Sequence, residues 1–270
     1  MATRTWVGSV SAVWTTTGNW LEGSIPAADD AIVFGSVATR APDPIDQSSV
    51  SPESLTILDG YRYPFGTSGS PIILGTIGVA NLASGSSLIH LNATVTLAYV
   101  KLLQGQVLLA KGTWTTTLAI GSGLLDVDTA TFTNTHARGL RVKMAAGTAP
   151  TLFVADSCSL ESARNLTTVY NSGGNILTTG TSTIATIFNG GRLNHRSSGT
   201  ITTGYNLRSG LIDPTGGSGF TVTTLFSDPD SLLNDKVLGA PVVVTNPRPL
   251  PSMGSGNVFL QGLNTEGFLT

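Results

Sequence analysis

The sequence predicts an all-β protein, a β-solenoid in which short strands stack coil on coil; a β-sandwich or jelly roll is the alternative. Three observations carry this. Apolar residues recur at every second position in short bursts rich in threonine, valine and isoleucine, the mark of half-buried strands. Glycine-rich turns separate the bursts, with pairs at Gly173-Gly174, Gly190-Gly191 and Gly216-Gly217 expected to supply the positive φ angles of sharp corners. Equivalent apolar positions also return at a nearly fixed interval. Leu166, Ile184, Ile201 and Val222 are roughly 17 to 21 residues apart, as are Ile176, Leu193 and Leu211. One coil of that length cannot bury its inward face, but stacked coils bury a continuous apolar column. A sandwich would also give short strands with frequent turns, yet the repeat favours the solenoid.

Taken in order, residues 1–50 form an N-terminal cap region. It holds Trp6, Trp14 and Trp20, then Asp30 and Phe34, then the Pro- and Asp-rich stretch Ala41 to Asp46. Residues 51–238 form the solenoid body. Within it, His136 to Lys143 carries the only local cluster of positive charge, Arg138, Arg141 and Lys143, expected to be a solvated face. Residues 239–270 read as an extended arm. Prolines at 241, 247, 249 and 251 remove ladder donors, so regular pairing is not expected there. Val242, Val244, Leu250, Phe259 and Leu260 on that arm need an apolar surface to lie on, and are the expected partner contacts.

Composition limits the function. The chain of 270 residues is 40% hydrophobic, enough for a large core. Charged residues make up only 11%, against roughly 25% in ordinary globular domains, and the net charge is −2. Nucleic-acid binding needs a concentrated basic face, which is missing. No apolar run reaches the roughly 20 residues of a membrane span. The single cysteine, Cys158, has no internal partner and is expected to be a small buried residue. The opening residues show no basic n-region, apolar h-region or cleavage site, which leads us to expect synthesis in the cytoplasm without export.

The opening segment carries a resemblance. Trp6-Val-Gly8, Trp14, Asn19-Trp20, Gly23-Ser-Ile-Pro26 and Asp30-Ala-Ile-Val-Phe34 together resemble the start of many bacterial and phage parallel β-helix proteins. The likeness covers about 30 residues and implies a fold and a capping role, with large aromatics closing the open end of the first coil. Asn19 and Asp30 are expected to bond backbone groups that no earlier coil satisfies.

Asp126 and Asp128 are spaced as a glycosidase pair could be, about 6.5 to 7 Å apart if both lie on one strand. A solvated corner is the plainer reading, and Asp228 and Asp230 read as a turn. His90, His136 and His195 share no metal-binding spacing, and His195 is expected to point outward. No nucleophile elbow or phosphate loop is present. We therefore expect no catalytic residue, cofactor or metal. The expected function is that of a non-enzymatic virion component, a decoration or cement protein on a bacteriophage capsid. It would be a homotrimer on the major capsid protein. A receptor-binding spike that stacks sugars on Tyr61, Tyr63, Phe65 or Tyr205 is the first alternative. A depolymerase using Asp126 and Asp128 is the second.

Overall fold

The computed structural model describes residues 1–83, 85–145, 148–234 and 242–250. Apart from one 3-10 turn at Thr17–Asn19, every regular element described is a strand, and together they build a parallel β-solenoid of about nine turns. One face stacks Thr3–Trp6, Ala31–Phe34 and Ser54–Ile57. It continues through the long strands Ile72–Leu82, Leu88–Leu102 and Val107–Gly121. Above them lie Thr131–Arg138, Thr148–Val154, Asn165–Asn171, Ile184–Asn189, Ile201–Asn206, Phe220–Ser227 and Val242–Pro249. The other face stacks Leu124–Asp126, Arg141–Met144, Ser159–Ser162, Asn175–Thr178, Arg192–His195, Leu211–Asp213 and Leu232–Leu233.

Parallel in-register stacking turns each position of the repeat into a column. One inward column runs Ile57, Leu82, Val100, Ala119, Ala137 and Val154, then changes to Asn171, Asn189 and Asn206. A buried amide must satisfy all its groups, and the ladder does so. Asn171 Nδ2 donates to Asn189 Oδ1 at 2.9 Å, and Asn189 Nδ2 to Asn206 Oδ1 at 3.0 Å. Asn206 Nδ2 ends the chain on Leu232 O. Asn171 Oδ1 accepts from Gly174 N, so the ladder also pins the corner.

The glycine pairs serve two purposes, not one. Gly173 and Gly216 do adopt positive φ. Gly190 and Gly191 do not. A Cβ at Gly191 would lie 2.4 Å from Gly174 O and 2.8 Å from the Asn171 amide, so close backbone approach demands glycine there.

Three expectations are corrected by the packing. His195 is buried, not outward; its Nδ1 meets the Thr178 hydroxyl at 2.5 Å and its Nε2 meets Gly199 O at 3.0 Å. Tyr61 and Phe65 are fully buried against Phe34 and offer no sugar platform. The proline-rich stretch, expected not to pair, forms the strand Val242–Pro249 in parallel register with Phe220–Ser227. The reason lies in its alternation. Leu250 N donates to Ser227 O at 2.8 Å, so even-numbered residues face the coil below. Pro247 and Pro249 then place their missing donors on the side away from Phe220–Ser227, so no ladder bond to that strand is lost. Val242 and Val244 pack half-buried against the core of their own chain. Phe259 and Leu260 lie outside the described residues.

Candidate functional site

The cap is built from the residues the sequence singled out. Trp6, Trp14, Trp20 and Phe34 are almost wholly buried, with ring centroids 4.9 to 6.2 Å apart in stacked, tilted and edge-on pairs. Trp6 Nε1 donates to Arg40 O and Trp20 Nε1 to Trp14 O, whereas the Trp14 indole N–H finds no acceptor. Asn19 is buried and fully engaged: its Oδ1 accepts from Val10 N and Ser11 N, and its Nδ2 donates to Val13 O and Ser11 Oγ. Asp30 accepts from Ala2 N, Ala27 N and Arg4 Nε. Burial would raise its carboxyl, but those donors outweigh it and hold the group below the usual range. These groups order the loop that closes the first coil; none points to a ligand.

The feature that sequence reasoning missed is on the outer surface of the body. His136, Phe153, Tyr170, Phe188, Tyr205 and Phe226 occupy one column, each half-buried. Their rings stack face to face at 4.2, 4.7, 4.9, 4.6 and 4.8 Å, with planes within 3 to 7° of parallel. Tyr99 and Leu118 extend the column downward, and Arg248 lies in register with Phe226 above. Two residues earlier on each strand runs a second row: Thr116, Asn134, Thr151, Thr168, Thr186, Thr203 and Thr224. The signal was present in the sequence as a recurring tetrad, Thr168-Val-Tyr-Asn171, Thr186-Ile-Phe-Asn189, Thr203-Gly-Tyr-Asn206 and Thr224-Leu-Phe-Ser227. Its four positions map to outer polar, core, outer aromatic and inner amide.

This geometry decides what the rings can touch. Sugar stacking needs a free ring face. In the ladder Tyr205 has Phe188 on one face and Phe226 on the other, so only ring edges reach the surface. The surface is a flat corrugation of aromatic edges beside threonine hydroxyls and methyls.

A cleft of about 410 Å³ adjoins the lower end of the ladder, with Leu118 and Ile120 as its apolar wall and Arg138, Asp156 and Ser157 around it. Arg138 thus sits apart from Arg141 and Lys143, which lie on the strand Arg141–Met144 beyond the Gly139 corner.

The two acidic candidates occupy a corner that an unforeseen residue holds. Arg164 is buried, and its guanidinium donates to the carbonyls of Ala130 at 2.6 Å, Asp128 at 2.5 Å and Val127. Asp128 also lies 3.6 Å from Lys111 Nζ. Asp126 stacks in register under Lys143, and partial burial raises its carboxyl more than Lys143 lowers it. Asp228 forms the expected turn, accepting from Ser231 N and Asp230 N. Among the described residues no three His, Cys, Asp or Glu side chains gather as metal ligands, and no helix is long and apolar enough to cross a membrane. Comparison with protein-family models, with curated proteins and with solved structures finds no match.

Proposed function

We propose that this chain is a non-enzymatic structural protein of a bacteriophage particle, laid on the capsid as a decoration protein. The observation that carries the reading is the long corrugated face. The stack presents aromatic edges and threonines along one face, with no Asp, Glu, Lys or Arg in either row between Tyr99 and Phe226. Such a face suits contact with another protein surface, where weakly hydrated groups are released from water at little desolvation cost. Gel densitometry of purified particles tests the reading: a decoration protein is present in hundreds of copies on heads. Absence from particles, or a few copies on tails, would overturn it.

The cleft at Arg138, Asp156 and Ser157 favours a second reading, a head fibre that binds a surface glycan. A glycan array probed with the full chain and with Arg138→Ala separates the two. Saturable binding lost in the variant selects the fibre.

A further inference from the structure

We propose that the corrugated face binds a second copy of this chain, rods parallel, with the aromatic ladder of one copy lying against the threonine row of the next. This does not rest on the particle reading.

Three observations choose the occupant. The first is period. The rings are spaced 4.2 to 4.9 Å apart by the coil stacking itself, and the threonines share that rise. A surface with so fine a corrugation packs closely only on one of matching period, and another copy supplies it by construction. The second is charge. No Asp, Glu, Lys or Arg lies in either row between Tyr99 and Phe226, and burial holds His136 towards its neutral form. Self-contact therefore juxtaposes no like charges. The third is extent. The ladder from Tyr99 to Phe226 is about 35 Å tall and the two rows with their flanks about 18 Å wide, or about 600 Å² per copy, near the roughly 800 Å² per partner of stable interfaces.

The orientation follows from ring electrostatics. Aromatic edges carry partial positive charge and hydroxyl oxygens partial negative. A rotation axis parallel to the rods exchanges left and right on the face, so ladder meets threonine row. An axis across the rods would set ladder against ladder, edge to edge. The first arrangement pairs unlike groups and closes into a ring when each copy uses both rows.

The test uses the full chain. Sedimentation equilibrium at micromolar concentration should give a mass above one chain. Thr168→Lys combined with Thr203→Lys, both outward residues, should weaken association more than about tenfold while the melting curve and circular dichroism stay as in the wild type. A benzophenone amino acid in place of Phe188 should cross-link to the threonine row of a second copy. A wild-type monomer, an oligomer indifferent to the lysines, or cross-links mapping outside residues 97–226 would each overturn the proposal. The cross-link keeps it decidable even if the double variant misfolds. A chain that associates through this face yet is absent from particles retains the inference and removes the particle reading.

Discussion

At the scale of single residues, the interior of this solenoid is set by how buried polar atoms are satisfied. His195 shows the logic. Gly199 O can only accept, so Nε2 carries a hydrogen; in the neutral ring that burial favours, Nδ1 then accepts from the Thr178 hydroxyl. Burial lowers its pKa more than the Gly199 contact raises it. Of the charged neighbours, Arg196 on the adjoining turn and Arg192 are exposed, while Asp213, 2.8 Å from the Arg192 guanidinium, is buried. A depressed histidine binds its proton more readily in the unfolded chain. Stability is therefore full above the ordinary histidine value near 6.5 and declines as pH falls below it. We expect the melting temperature to drop between pH 6.5 and 4.5, and His195→Gln to flatten that decline. An equal slope in the variant would assign it elsewhere. Cys158 is the companion case: burial pushes its thiol up to about 12. It should ignore Ellman's reagent in the native protein at pH 8 and react stoichiometrically in denaturant; fast native labelling would mean that its coil opens.

At the scale of elements, the cap is the most exposed to test. Truncating a buried tryptophan costs on the order of 3 to 5 kcal/mol, so Trp14→Ala should melt well below the wild type. Trp14→Phe should cost clearly less than Trp20→Phe, because only the Trp20 N–H has an acceptor to lose. Equal losses would place the cost in ring volume alone. These cap residues were legible in the sequence because tryptophan and a spaced Asn and Asp are rare signals close together. The strand class was legible too, from period-two apolar bursts. Three things were not. Arg164 looks like any solvated arginine until the fold brings the Val127–Ala130 corner over it. The ring ladder needed the register, since residues 17 or 18 apart become neighbours only when coils stack. The pairing of Val242–Pro249 needed the phase of the strand, because proline opposes a ladder at alternate positions only.

At the scale of the molecule, stacking makes stability a chain of neighbour contacts, and the last contact decides what the C-terminal stretch is for. In a stack each coil is held by the one below and the one above, so removing the top coil should loosen its neighbour and leave distant coils intact. Val242 and Val244 cover the end of a core that includes Phe220, Val222 and Leu225. Full burial of such a side chain is worth roughly 1.5 to 3 kcal/mol, and these half-buried valines contribute a part of that. A chain ending at Gly239 should thus stay folded from the cap through the Asn ladder, while amides of Phe220–Ser227 lose hydrogen-exchange protection and the melting temperature falls by several degrees. An arm that served only a partner would predict the opposite, unchanged exchange and melting of the isolated chain. The same truncation separates this role from self-association. The ladder from His136 to Tyr205 lies on coils the deletion does not touch, so the oligomer should survive with its top frayed. Dissociation into folded monomers without loss of protection at Phe220–Ser227 would instead make the C-terminal stretch the clasp, and leave the corrugated face free.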